Sequence, residues 1–174
     1  FQVQRRTGPV TFNSSFTWSD NVSNYANTID PYNVTNQWTR DGANRKLYWV
    51  TSTGWQLPFG RNRRYLSQAG GLLNFAVSNW SVQTITTFAS GQYYSPWFTG
   101  PDPANASAGF VTQLPDCVSD PNAGARTKGL WFNPNAFAVP GPSAGRYGTC
   151  GMNTLEGYPI HVGHVSVAKA IPLG

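Results

Sequence analysis

The stretch Leu47-Tyr48-Trp49-Val50-Thr51-Ser52-Thr53-Gly54-Trp55-Gln56-Leu57 decides the fold class. Leu47, Trp49, Thr51, Thr53, Trp55 and Leu57 alternate with Tyr48, Val50, Ser52, Gly54 and Gln56. Successive side chains on a strand point to opposite faces, so a period of two marks a β-strand. The same pattern runs on both sides of this segment. Val10, Phe12, Ser14, Phe16 and Trp18 alternate with Thr11, Asn13, Ser15, Thr17 and Ser19, and Trp80, Val82, Thr84, Thr86 and Phe88 alternate with Ser81, Gln83, Ile85, Thr87 and Ala89. Residues 160–170 form a fourth run with a weaker pattern. Residues 1–6 read as the end of another strand, closed by Thr7-Gly8-Pro9 as a tight turn. Helical periodicity is nearly absent. The expectation is an all-β chain with antiparallel, up-and-down strands near 10–19, 45–57, 79–90 and 160–170, each beside its sequence neighbour.

The connections sharpen this. Thr7-Gly8-Pro9 is very short, residues 20–44 are long and polar, residues 58–74 are intermediate and open with Pro58-Phe59-Gly60, and residues 91–157 are very long. In an up-and-down sheet successive connections fall on opposite ends, so the long ones share one end and the shorter ones the other. Outer-membrane barrels sort their turns and loops in this way, whereas a soluble sandwich has no reason to. Trp18, Trp49, Trp55, Trp80 and Phe88 lie near the ends of their apolar faces, where the aromatic girdles of a transmembrane barrel are needed. Phe12, Phe16, Leu47, Trp49, Val82 and Phe88 are expected to face lipid. Thr11, Asn13, Ser52, Gln83 and Thr87 are expected on the opposite, hydrated face.

Composition is compatible with this reading. Of 174 residues only 11% are charged and 14% are aromatic, with 7 Trp, 8 Tyr and 10 Phe. A disordered chain would show the reverse balance. No run of 18 apolar residues exists, which excludes a transmembrane helix but not a transmembrane strand. The net charge of +5 comes from lightly clustered cations, Arg5-Arg6, Arg45-Lys46 and Arg61 with Arg63-Arg64. None forms the basic run of a nucleic-acid patch, so no nucleic-acid partner is expected. Phe1-Gln2-Val3-Gln4 reads as mid-strand, with no leader peptide before it. Further chain is therefore expected upstream.

Specific segments also resemble a known family. Val3-Gln4-Arg5-Arg6 with Val10-Thr11-Phe12 and Phe16-Thr17-Trp18-Ser19 resembles a barrel strand pair of TonB-dependent outer-membrane receptors, in the Oar-like group that carries a carboxypeptidase-regulatory-like domain. Leu57-Pro58-Phe59-Gly60-Arg61-Asn62-Arg63-Arg64 resembles that group's strand-to-turn element, and Gly70-Gly71-Leu72-Leu73 with Trp80-Ser81-Val82 its following strand. Trp131-Phe132-Asn133-Pro134-Asn135-Ala136-Phe137-Ala138-Val139-Pro140 is the most specific match. Gly151-Met152-Asn153-Thr154-Leu155 and Val165-Ser166-Val167-Ala168-Lys169 continue it in order. Gly157-Tyr158-Pro159 departs from the family's Gly-Pro-Gly, and His164 stands where the family has an acidic residue. The resemblance implies the C-terminal part of a plugged, 22-stranded type of barrel. Residues 1–174 are then a partial barrel domain with its long loop at 91–157, and the plug and remaining strands lie outside this chain. It further implies energised nutrient uptake, contact with outer-membrane lipid, TonB acting through parts not in this chain, and a small ligand of unknown identity.

No catalytic constellation stands out, and neither enzyme activity nor a cofactor is expected. His161 and His164 are three apart, which on a strand puts them on opposite faces. Asp102, Asp116 and Asp120 sit beside prolines and read as turn formers. The long loop supplies Tyr93, Tyr94, Trp97, Phe98, Trp131, Phe132 and Phe137 as candidate ligand contacts, since aromatics on loops suit sugar, aromatic or siderophore ligands. Cys117 and Cys150 lie in the same loop without CxxC spacing. In the oxidising path to an extracellular surface they are expected to form a disulfide. The alternative class is a soluble secreted β-protein, such as a filament subunit, an adhesin or a carbohydrate-binding module, located extracellularly rather than in the outer membrane.

Overall fold

A computed structural model describes residues 1–24, 38–106 and 110–171. The chain divides into two compact units, one of Phe1–Trp18, Leu47–Ala89 and Ile160–Gly174, the other of Ser19–Lys46 and Ser90–Pro159.

The first unit is a five-stranded antiparallel sheet. Its strands are β1 (Gln2–Arg5) and β2 (Val10–Trp18), then β5 (Leu47–Gln56), β6 (Trp80–Ala89) and β13 (Ile160–Lys169). They lie in the order β1-β2-β5-β6-β13, each paired with its neighbour in the unit. The four complete strands contain nine or ten residues, the length a tilted strand needs to cross a bilayer. Arg5 pairs with Phe12 across the Thr7-Gly8-Pro9 turn, where Gly8 supplies the positive φ of +86°.

Directly opposed residues share a face of the sheet, so the register fixes both faces. One row reads Phe16–Trp49–Phe88–His161, with the Phe88 and His161 rings edge to face at 4.6 Å. The next reads Ser14–Thr51–Thr86–Gly163, then Phe12–Thr53–Thr84–Val165, then Val10–Trp55–Val82–Val167. All six residues expected to face lipid therefore lie on one face, with aromatic rows near its two ends. Thr11, Asn13, Ser52, Gln83 and Thr87 all lie on the other. Trp18, Trp49 and Trp55 are 61%, 49% and 45% exposed, so this apolar face is not buried against a second sheet. The indole N–H of Trp49 donates to Ser14 Oγ at 2.7 Å, and Ser14 Oγ lies 3.0 Å from Thr51 Oγ1. Trp49, Ser14 and Thr51 thus satisfy one another within the sheet, which suits a nonaqueous surrounding.

The connection between β5 and β6 contains a helix, α1 (Gly71–Val77), that periodicity did not reveal. It is too short to display a period. Lys169, at the far end of β13, holds its C-terminus by donating to the carbonyls of Phe75, Ala76 and Ser78, a favourable placement for a cation.

The second unit is built from the β2–β5 and β6–β13 connections. Both leave the same end of the sheet, where Trp18 pairs with Leu47 and Ala89 pairs with both Tyr48 and Ile160. It consists of short two-stranded ladders, β3 (Val22–Ser23) with β4 (Thr39–Arg40), β7 (Tyr93–Tyr94) with β12 (Leu155–Glu156), β8 (Phe98–Pro101) with β9 (Phe110–Gln113), and β10 (Asp116–Cys117) with β11 (Phe137–Ala138). Among the described residues its buried apolar side chains are Tyr93, Leu114, Ala136, Cys150 and Leu155 together with Pro96, Pro103, Pro115, Pro121 and Pro140.

Candidate functional site: the loop unit

Cys117 and Cys150 form a disulfide with a Cα–Cα distance of 4.8 Å. The bridge lies in a dense local network. Cys150 N donates to the Pro115 carbonyl at 3.0 Å, and Cys117 N to Thr149 Oγ1 at 3.2 Å. The adjacent Asp116 carboxylate accepts from Nη1 and Nη2 of Arg146, at 2.6 and 2.8 Å, and from Thr149 N at 3.0 Å. The Arg146 hydrogen bond is the main force holding Asp116 below the usual carboxylate range. Gly148 runs so close to the 114–115 backbone that a Cβ there would lie 1.9 Å from the Leu114 carbonyl oxygen.

The other turn aspartates also have structural partners. Asp102 accepts from Ala104 N and Ala106 N and from the Gln113 amide. Asp120 accepts from Asn122 N. Among the described residues no group of three or more His, Cys, Asp or Glu is placed to hold a metal ion. His161 pairs with Phe88 and His164 with Ile85, on opposite faces of the sheet.

The seven candidate aromatics do not form one site. Tyr93 is only 7% exposed, with the Arg40 guanidinium 5.2 Å from its ring centre. Its ring packs inside the unit, and burial raises its pKa above the ordinary tyrosine value. Tyr94 and Trp97 are about half exposed. Phe98 and Phe137 are strand residues of β8 and β11 and, like Phe132, are partly covered. Trp131 belongs to a local cluster. Its indole N–H donates to the Glu156 carbonyl at 2.7 Å, its ring lies 4.2 Å from that of Tyr158, and the Arg126 guanidinium lies 5.1 Å from it. Tyr94 packs against Gly157 in the same segment, where an added Cβ would come within 2.5 Å of the tyrosine ring. Sequence reading missed Tyr158, which is half exposed and follows the β12 strand that pairs with Tyr94.

A cleft of about 500 Å³ opens elsewhere in the unit, lined by Trp38, Arg40, Asn122, Thr149, Asn153 and the disulfide, among others. It falls in the size range of small-molecule sites. Trp38 is 61% exposed at its edge. Arg40 is paired with Asp20 at 3.0 Å, and this hydrogen bond raises its pKa further. Asn153 links the ladders by donating to the Arg40 carbonyl at 2.8 Å and, through its backbone, to Ser95 Oγ at 2.9 Å. None of the seven candidate aromatics lines this cleft. Trp38 stands alone in a polar stretch, and only the long-range packing of the two connections makes it part of a concave surface.

A family model described as outer membrane beta barrel domain matches residues 1–174. The chain belongs to this family. The open sheet is then a segment of an outer membrane beta barrel domain, and the transmembrane, up-and-down fold class read from the alternation holds. No curated protein and no solved structure matches the chain.

Proposed function

We propose that this beta barrel segment is part of the wall of a TonB-dependent outer-membrane receptor that takes up a scarce nutrient. The loop unit is its extracellular, ligand-gathering part. The observation that carries the reading is the sorting of connections. Both long ones leave one end of the sheet and pack into a single unit, the longer of them closed on itself by a disulfide, while the other end carries a tight turn and a shorter connection. The aromatic face meets outer-membrane lipid, and the Thr11–Asn13–Ser52–Gln83–Thr87 face looks into the lumen. The protein is a transporter component and not an enzyme. Its ligand is a small molecule that enters between Trp38 and Arg40 or docks on the half-exposed Tyr94, Trp97 and Tyr158, the last stacked on the more covered Trp131. A secreted sandwich would cover its apolar face with a second layer, and Trp18, Trp49 and Trp55 are left uncovered.

The test uses the full-length protein expressed in a Gram-negative host. It should fractionate with the outer membrane and show heat-modifiable electrophoretic mobility, and it should bind the purified periplasmic domain of TonB. Absence from the outer membrane would overturn the barrel wall. Membrane localisation without TonB binding would overturn the receptor class alone.

A further inference from the structure

The sheet unit contains no Asp or Glu. All seven acidic residues of the chain belong to the loop unit. The twelve cations divide evenly, six to each unit, so the sheet unit carries +6 and the loop unit −1. The six in the sheet unit also share one end. Arg5 closes β1, Arg6 opens the tight turn, Arg61, Arg63 and Arg64 lie in the β5–β6 connection, and Lys169 closes β13. The unit offers them no carboxylate.

Exposed apolar side chains stand among these cations. Leu72 is 88% exposed, Leu73 and Phe75 are each 54%, and Tyr65 and Leu66 are each 49%. A short helix with uncovered leucines and phenylalanine would be a liability in water. It is instead the pattern of a segment lying in a membrane interface, where apolar side chains enter the acyl boundary and Lys or Arg meets anionic headgroups. Trp80, next to α1, donates its indole N–H to the Ala76 carbonyl at 2.9 Å. This ties an interfacial aromatic to the helix.

We infer that the turn end of this sheet, with Arg61, Arg63 and Arg64 and the Leu72–Leu73–Phe75 surface of α1, is a binding surface for anionic phospholipid of the periplasmic leaflet. The inference rests on the barrel reading, which places short connections on the periplasmic side. Charge selects the headgroup. The apolar side chains select a lipid over a soluble phosphate, because a soluble anion has nothing to place against Leu72.

The experiment takes the complete protein, reconstituted into vesicles of phosphatidylcholine alone or of equal parts phosphatidylcholine and phosphatidylglycerol. Lipid retained after detergent extraction is counted by native mass spectrometry. Phosphatidylglycerol should be retained preferentially, and the preference should fall with salt. Combining Arg61→Gln, Arg63→Gln and Arg64→Gln should reduce it about tenfold or more. Lys46→Gln with Lys128→Gln in the loop unit should leave it unchanged. Glycerol phosphate should not compete. A fluorophore on Leu72→Cys should be quenched by lipid brominated near the top of its acyl chains. Equal retention in the triple variant, or competition by glycerol phosphate, would overturn the inference. So would an unquenched probe, which would mean that protein covers α1. Heat-modifiable mobility, read on every variant, reports the barrel separately, so failure of lipid selection and failure of the barrel reading are distinguishable.

Discussion

Replacing Thr86 by arginine tests the transmembrane face with little change in packing, because Thr86 is already exposed and has no large apolar group to lose. The level of Trp18 and Leu47 marks one end of the aromatic face. The level of Trp80, whose carbonyl accepts from Leu57 N at 2.9 Å, marks the other. Ten residues of β5 separate Leu47 from Leu57, about 33 Å at the usual strand rise. At a tilt of about 40° this becomes about 25 Å along the membrane normal, the height of the apolar band of an outer-membrane barrel. Thr86, opposite Thr51 and Gly163, lies within about one residue of the midpoint. An arginine there should cost about 2–4 kcal/mol, a factor of roughly 30 to 1000 in the folding equilibrium. Its neighbour Thr87 faces the other way, and Thr87→Arg should cost well under about 1 kcal/mol. The assay is urea-dependent folding of the full-length protein into phosphatidylcholine vesicles, followed by heat-modifiable mobility. Equal costs at the two positions, or a larger cost at Thr87, would refute the assignment of faces.

Three further outcomes bear on the loop unit. Cys117→Ser should lower the order of the 117–150 segment by about 3–4 kcal/mol on a chain-entropy estimate, seen as faster proteolytic nicking in intact cells, and unchanged nicking would make the bridge structurally idle. Gly148→Ala should cost at least about 1–3 kcal/mol of local stability, because the new methyl meets the Leu114 carbonyl and backbone must shift, measured by hydrogen exchange at Cys150 and Gly151. Asp116 has a depressed pKa when folded, so its contribution is present above the ordinary carboxylate value of about 4 and is lost as pH falls through the lower folded value. Proteolytic protection of the loop should therefore drop in that acid window in the native protein and stay flat in Asp116→Asn.

The strands were legible because their alternation is long and consistent. Residues 10–18, 47–56 and 80–89 keep one period throughout, and the register puts each predicted face where the pattern does. β13 reads weakly for a physical reason. Ile160 and Val162 lie on the lumen-side face, while Val165 and Val167 lie on the aromatic face, so the apolar phase reverses across Gly163 and His164. The helix α1 was hidden because seven residues are too few to show a period, and the Lys169 contacts that complete its C-terminus come from far along the chain. The disulfide followed from topology and redox compartment. The cleft did not, since Trp38 and Asn153 are brought together only by packing between two connections far apart in sequence. Residues 25–37, part of the long connection read at 20–44, lie outside the described residues.

The loop unit gains its order by means other than a hydrophobic core. Among the described residues its buried apolar side chains are mostly prolines and small residues, with Tyr93, Leu114 and Leu155 the larger ones, so the area they bury offsets only part of the cost of ordering a long Gly- and Pro-rich connection. Direct backbone contact and polar cross-links take that role. Gly91 and Gly157 approach so closely that a Cβ on Gly91 would fall 1.9 Å from the Gly157 carbonyl oxygen. Asn122 joins two segments by donating to the Thr154 carbonyl at 2.7 Å and accepting from Glu156 N at 2.9 Å. With the aliphatic interior kept small, aromatics such as Tyr94, Trp97 and Tyr158 remain half exposed instead of being consumed by packing. Side chains in that state, presented to water yet held by a cross-linked backbone, suit the ligand-gathering role proposed for this unit. The same economy explains why the sheet carries its apolar residues outward, because a barrel wall takes its hydrophobic partner from the bilayer and leaves its lumen to polar side chains.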